Sequence, residues 1–435
     1  MAAEVITKKA LERLRRQLGA ARVDAEAAGE DYAAATVRVE SSADLGKAFV
    51  WAQSEGVTTY LDLIEGDVAR DFGGLFVDVR PMDAIVEMNE VSRIVTAQTG
   101  VRVGALETEL NARGLSLGPI PPPVHHRPLA YWLLDRDTGV GASGWGAIGS
   151  NVMALAGRFP NGDGFDTRRT PRASTGPDFC KFLIGTEGYF AVPTEATLIV
   201  TPLPESRRHQ SHRMRSIGDA LTILREIVVQ GLRPTFVNVL DGAAARAFLG
   251  EQSVEPTGAL LTVGFEGPTT IAQVGEELAS KLAESEGGKP AGNELAERWR
   301  RLAWSPEDPG AHGEGLLDDR YTISIGWRNA EALHTRLRRS FWRDDVGLRV
   351  IFGQAGIDGL QAVVQIDGGE RYDAEETRQE LLRQIAEVGG ELVHELQGGD
   401  SVPVDREAEY GVALEWLSAI GDRLDPAGIY QGAVW

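Results

Sequence analysis

The sequence predicts a two-lobed α+β protein, and three observations predict it. Its 435 residues exceed what one core of ordinary size holds. Hydrophobic residues at 43% and charged residues at 25% are the composition of a packed chain rather than a disordered one. Strand-like and helix-like runs alternate throughout, short and closely spaced up to about residue 204 and with longer helices from 205 to 400.

Taken in order, residues 1–30 hold a basic amphipathic helix, because Leu11 and Leu14 share a face between Lys8 and Gln17. A strand is expected at Thr36–Val39, then a helix that Ser41-Ser42 caps and Gly56 closes. Strands follow at Leu75–Val79, Ile85–Met88 and Ile94–Gln98. Val103, Leu106 and Leu110 then share one face of a helix that stops at Gly114. Residues 116–178 are rich in Gly, Pro and Asp with little periodicity, so a long functional or degenerate loop system is expected there. Glu195–Val200 reads as a strand, and Thr201-Pro202-Leu203-Pro204 as a stiff boundary that closes a first lobe of residues 31–204.

In the second lobe, residues 205–400, helices are expected at Ile217–Gln230, Ile271–Glu284, Leu295–Arg301 and Ala374–Val388. Strands are expected at Thr235–Leu240, Ala259–Phe265, Tyr321–Trp327, Leu348–Phe352 and Leu360–Ile366. Residues 401–435 carry a last helix from about Glu407 to Leu424.

Lys plus Arg is 44 against 64 Asp plus Glu, a formal charge of -20. That field repels nucleic acid and anionic lipid, so neither is expected as a partner. No run of roughly 20 apolar residues is present and the start lacks an apolar signal core, which reads as a soluble, cytoplasmic chain without membrane insertion. Cys180 is the single cysteine and reads as a small buried hydrophobe.

Other motifs weigh against competing chemistries. Gly139-Val140-Gly141-Ala142-Ser143-Gly144 has the spacing of a Rossmann fingerprint but lacks the strand before it and the long helix after it. His209-Gln210-Ser211-His212 has ligand-like spacing, yet Arg207, Arg208 and Arg213 crowd it, so a solvated basic surface is the better reading. His125-His126 follows a run of prolines and reads as an exposed loop pair or the mouth of a site. Glu391-Leu392-Val393-His394 is half of a carboxylate–histidine motif with no second half. No metal site is expected.

Four segments, in order, carry a family resemblance. They are Val95 to Gly114-Leu115, Gly146-Ala147-Ile148-Gly149-Ser150-Asn151, Arg168 through Gly176-Pro177-Asp178 and Ile184-Gly185-Thr186-Glu187-Gly188 to Leu198, and Gly389-Gly390 through Asp425-Pro426-Ala427-Gly428-Ile429. The chain resembles the vanillyl-alcohol-oxidase superfamily of PCMH-type FAD proteins, and within it the alkylglycerone-phosphate-synthase-like and glycolate- or D-lactate-dehydrogenase-like members. The resemblance implies FAD held between two subdomains of the first lobe, a cap lobe with an antiparallel sheet, and a C-terminal segment returning to the FAD domain. Glycines suit such a site, because backbone amides approach a diphosphate only where no Cβ intervenes. By position, the cofactor residues it implies are Gly144, Gly146, Ala147, Ile148, Ser150, Asn151, Asp178, Gly185, Glu187, Gly188, Ala191 and Val192. His394 is the candidate general base for a substrate hydroxyl, and Arg336 the candidate partner of a substrate carboxylate or phosphate.

The chain also departs from the family's pattern. Asp62, Glu65 and Asp67 stand where the first phosphate loop has small residues, Trp145 replaces a loop glycine, and Ala191 another. A carboxylate in a dry diphosphate cradle repels its ligand. Two functions follow: an FAD-linked oxidase or dehydrogenase of a 2-hydroxy acid or related alcohol, or a paralog that lost FAD and serves as a scaffold, a homo-oligomer or a partner subunit. For the second, any exposed tryptophan among Trp299, Trp304, Trp327 and Trp342 would supply the interface, although most of the four are expected in the core.

Overall fold

The computed structural model describes residues 6–28, 31–63, 73–120, 122–135, 148–171, 176–250, 254–304, 320–341, 347–367, 374–397, 400–401 and 411–434. Helix α1 (Lys8–Leu18) begins where Thr7 accepts from the Ala10 N–H, and its Leu11 and Leu14 are buried. Strands β1 (Val23–Ala28) and β2 (Asp31–Arg38) pair antiparallel. Helix α2 (Ser42–Glu55) follows, capped by Ser41 and stopped by Gly56 at φ +66, a left-handed position that a side chain would strain. Trp51 of α2 donates its indole N–H to the Ala10 carbonyl (3.0 Å), which fixes α1 against it. β3 (Thr59–Asp62) and β4 (Gly74–Asp78) run parallel with β2.

A second unit of the first lobe contains β5 (Ile85–Asn89), β6 (Ile94–Gln98), α3 (Val103–Asn111), β7 (Leu115–Ser116), α4 (Pro122–His125) and α5 (Leu129–Leu134). It continues with β8 (Val152–Arg158), β9 (Gly164–Asp166), α6 (Phe179–Leu183), β10 (Val192–Ile199) and β11 (Thr201–Pro202). The sheet order is β5-β6-β10-β8-β9. The expectation of a loop system at 116–178 is therefore corrected. β8 is an interior strand, and its Ala-Leu-Ala-Gly core lacks the β-branched residues that signal one.

Helix α5 joins the two units. Ala130 and Leu134, four apart, enter the core of the first sheet, while Leu129 and Leu133 enter that of the second. Gly100 permits equally close contact nearby: a Cβ there would stand 2.3 Å from the Val79 carbonyl oxygen.

The cap is built from β12 (Ser206–Met214), α7 (Ile217–Val229), β13 (Phe236–Asp241), α8 (Gly242–Leu249), β14 (Ala259–Gly267), α9 (Thr269–Ser285), β15 (Lys289–Gly292) and α10 (Glu294–Trp304). It is completed by β16 (Arg320–Gly326), α11 (Ala330–Ser340), β17 (Gly347–Gly353), β18 (Gly359–Asp367), α12 (Ala374–Glu387), β19 (Glu391–Gln397) and β20 (Asp400–Ser401). These strands form an antiparallel sheet in the order β15-β12-β14-β13-β17-β18-β16-β19-β20. One face packs on α7, α9, α11 and α12 through Ile227, Val263, Ile323, Leu333 and Phe352. Each such side chain contributes roughly 1.5–3 kcal/mol by leaving water. On the other face, α8 and α10 cover the β12–β13 half through Phe236, Leu260 and Trp299.

Trp299 is fully buried, its indole N–H donating to Asn238 Oδ1 (3.0 Å), and Trp327 is half-buried and donates to the Gly356 carbonyl (2.9 Å), so Trp299 belongs to the core rather than to an interface. The Trp304 side chain and Trp342 lie outside the described residues. The chain closes with α13 (Ala413–Leu424) and β21 (Tyr430–Val434), which joins β3 in parallel and completes a sheet of order β1-β2-β4-β3-β21. Among the described residues, no helix is long and apolar enough to cross a membrane.

Candidate flavin crevice and the cap face above it

Parallel strands bind ligands beyond their carboxyl ends. Here β3 and β4 end at Asp62 and Asp78, which lie in register, and Arg80 serves both. Its Nε is 2.7 Å from Asp78 Oδ1 and its Nη2 is 3.7 Å from Asp62 Oδ2. Asp62 is therefore buried beside a counter-charge that it shares with Asp78, which lessens the repulsion of a diphosphate expected from it. Glu65 and Asp67 lie outside the described residues.

Across the crevice, the Gly185 and Glu187 amides donate to the Leu133 and Leu134 carbonyls (3.0 and 2.9 Å). These two N–H groups hold the end of α5, and so Asp135, rather than remaining available to a phosphate. A Cβ on Gly149 would lie 3.6 Å from Ile184, so the turn Ile148–Ser150 and the Gly185–Gly188 turn meet on the same helix. Asn151 leads into β8 and its carbonyl takes the Ile199 N–H (2.7 Å). Ala191 and Val192 are buried at the opposite end of the β8–β10 pair, where Val192 faces Arg158. Asp178 caps α6 by accepting from the Lys181 N–H (3.1 Å). Gly144, Gly146 and Ala147, with Trp145 and the fingerprint-like Gly139–Gly144, lie outside the described residues.

His394 sits within β19, paired with Thr322 of β16. Its side chain is buried, and Nε2 lies 3.7 Å from Asp135 Oδ1, within ion-pair range. Alternation along the strands puts Arg320 and Thr322 on that same face, and Gln365 of β18 is buried beside them. Arg336 is elsewhere. On α11, behind the sheet, it pairs with Glu387 and donates to Gln384 Oε1 (3.2 Å) of α12, so the fold does not bring it to His394. The solvated reading of His209–His212 is also corrected. The segment belongs to β12, and both histidines are buried, His209 beside Glu266 and His212 beside Ser280. Cys180 is buried, which pushes its thiol up to about 11.

Sequence reasoning missed Arg80, Asp135 and Arg320. Arg320 was legible in principle, because Arg320, Thr322 and Ser324 alternate with Tyr321, Ile323 and Ile325. Asp135 carries no local signal; only the fold sets it opposite β19.

Arg80 gives the two carboxylates at the ends of β3 and β4 one shared counter-charge, and the described residues fit FAD on one further count. In the core that this sheet shares with Leu134 and Val192, the Tyr430 hydroxyl is buried without a hydrogen-bond partner among the described residues, and burial, with Asp425 nearby, pushes its ionisation up. A neutral donor left unsatisfied costs about 1–3 kcal/mol, which a polar ligand atom recovers.

Comparison with known proteins agrees with this geometry. Residues 33–165 match the family described as FAD binding domain, and residues 203–431 match FAD linked oxidases, C-terminal domain. The chain is 25% identical to alkyldihydroxyacetonephosphate synthase of Caenorhabditis elegans, covering 82% of this chain and 67% of the relative. It is 23% identical to the mitochondrial, cytochrome-type D-lactate dehydrogenase of Arabidopsis thaliana, covering 84% and 66%. Against an FAD-linked oxidoreductase of Escherichia coli it is 27% identical, covering 55% and 50%. The chain thus spans between half and two thirds of these relatives' lengths. Among solved structures, an alkyldihydroxyacetonephosphate synthase superposes with a TM-score of 0.72 at 14% identity, covering 97% of this chain and 85% of that one. p-Cresol methylhydroxylase with bound substrate gives 0.73 at 15%, covering 98% and 97%.

Proposed function

Because the chain belongs to the FAD-linked oxidases, we propose that it oxidises a small 2-hydroxy acid or a related alcohol at the face of the cap sheet that meets Asp135. FAD, when bound, supplies the hydride acceptor. The chain's own residues do the rest. His394 takes the proton of the substrate hydroxyl, and Asp135 holds the imidazole in orientation and faces the imidazolium that results. Arg320 takes the substrate-carboxylate role that Arg336 is placed too far behind the sheet to fill. The cap lobe keeps water from these groups by burying them.

The observation that carries this reading is a buried histidine on one lobe facing a buried aspartate on the other. The relatives support the chemical class, since one is named a D-lactate dehydrogenase. The test is the visible spectrum of the purified full chain, mixed anaerobically with D-lactate, glycolate or an alcohol lacking the carboxylate. Yellow protein bleached by a hydroxy acid is expected, with His394→Asn retaining its FAD and reducing it roughly 100-fold or more slowly. Colourless protein that takes up no added FAD, or His394→Asn protein reduced at the parent rate, overturns the proposal.

A further inference from the structure

Helix α9 buries its small residues and exposes its large ones. Ala272, Gly275, Ala279 and Ala283 face the cap sheet, and a Cβ on Gly275 would stand 2.5 Å from the Phe265 ring, so the sheet lies too close for a larger side chain there. On the outer side Ile271 is 67% exposed and Val274 47%, and Leu278 completes a stripe at i, i+3 and i+7. A helix whose only neighbour is the sheet has the opposite order, because a larger apolar side chain contributes more by leaving water. The surface continues onto α7, which packs beside α9. Phe236 at the start of β13 pairs with Gly264 near the end of β14, so the end of α7 and the start of α9 lie at one edge of the sheet. There Val229 is 52% exposed.

Charged residues make up 25% of the chain, yet neither 227–232 nor 267–275 contains one. Beside the first turn of α9, Glu205 accepts from the Thr269 N–H (3.3 Å), and Arg208 of β12 offsets its charge. Glu266 points to the opposite face of the sheet, toward Arg207 and His209. The other charges stand at the two rims of the apolar ground. On the α7 rim Arg225 and Glu226 pair with each other (3.6 Å), which leaves Arg233, an exposed cation with no ion pair among the described residues. On the α9 rim Glu276 and Glu277 outweigh Lys281, one turn farther along. The rims are therefore opposite in sign, and a twofold axis running between them sets the basic rim of one copy against the acidic rim of the other. Two chains of net charge -20 repel each other over the rest of their surface, so this uncharged ground is where two copies approach most readily.

We propose that this face is the contact between two copies of the chain, α7 and α9 of one packing on α7 and α9 of the other about a twofold axis. The test is sedimentation velocity of the full chain over a concentration series, in which a dimer with a dissociation constant of about 1 μM is expected. Ile271→Glu puts a carboxylate in the first turn of α9, where a helix accepts it, and should weaken the dimer at least about tenfold with an unchanged circular dichroism spectrum. Arg233→Glu and Glu277→Arg should each weaken it about threefold or more, and the two together should restore it. Trp416→Ser, on the exposed side of α13 in the first lobe, should leave it unchanged. A parent chain still monomeric at about 100 μM overturns the proposal. So does Ile271→Glu protein that dimerises like the parent, a doubly exchanged variant no stronger than the single ones, or a dimer lost in Trp416→Ser, which would put the contact on α13.

Discussion

The two faces of the cap sheet use the same strands for opposite purposes. On β16, Tyr321, Ile323 and Ile325 point into the apolar core beneath α7, α9, α11 and α12, while Arg320 and Thr322 point toward the first lobe. Both sets are buried. Burying the first set stabilises the fold directly, whereas burying the second costs free energy unless each group finds a partner. The buried polar row therefore marks where the fold gives up stability, and it is the row that includes His394 and faces Asp135. One strand periodicity thus separates a side that holds the cap together from a side available for chemistry.

The most severe way to break this comparison is on the apolar face. Phe352→Ala removes a fully buried ring from the helix-side core and is expected to cost about 3–5 kcal/mol in urea unfolding. On the polar face, Thr322→Val keeps the volume and removes a hydroxyl, so a change within about 1.5 kcal/mol is expected, together with slower flavin reduction by a hydroxy acid. If the two substitutions cost the same, the polar row is structural and the division between faces fails.

The first lobe offers a sharper version, because there charge rather than shape is at stake. Arg80 stands over two buried carboxylates at the ends of β3 and β4. Arg80→Ala removes the cation that both share and is expected to cost about 3 kcal/mol, measured by denaturant midpoint, and to weaken FAD retention on dialysis. Arg80→Ala combined with Asp62→Asn and Asp78→Asn should recover much of the stability. Failure to recover would mean that Arg80 acts by packing alone.

How far the sequence disclosed this arrangement depends on whether a feature is local. Ser41, Gly56 and the Val103–Leu110 stripe determine two helices through caps and periodicity, and the structure has both. The segment Ser206–Met214 misled because Arg207, Arg208 and Arg213 around the histidines look like a solvated surface. Yet a strand buries every other residue, so a run dense in Arg and His can still be interior. Asp62 misled in the same way, since its partner Arg80 lies on the far side of β4. His394 was legible as a candidate, but its partner Asp135 is 259 positions away in the chain, beyond any pattern a single sequence displays.

The smallest expected effect concerns a buried titratable group on the helix side of β12. His212 is buried against α9 with Nε2 3.3 Å from the Ser280 hydroxyl, and burial holds its imidazole below the ordinary histidine range, with Glu284 opposing only in part. In the unfolded chain the ring titrates near pH 6.5, about the ordinary value. As pH falls, the unfolded state therefore takes up the proton first. The stability contributed by the neutral ring is whole above that pH and is lost as pH falls through it toward the folded value. His212→Gln can still bond Ser280 but cannot ionise. Its urea midpoint should drop less between pH 7.5 and 5.5 than the parent's, whereas an equal drop would mean that the acid sensitivity of the cap does not reside in His212.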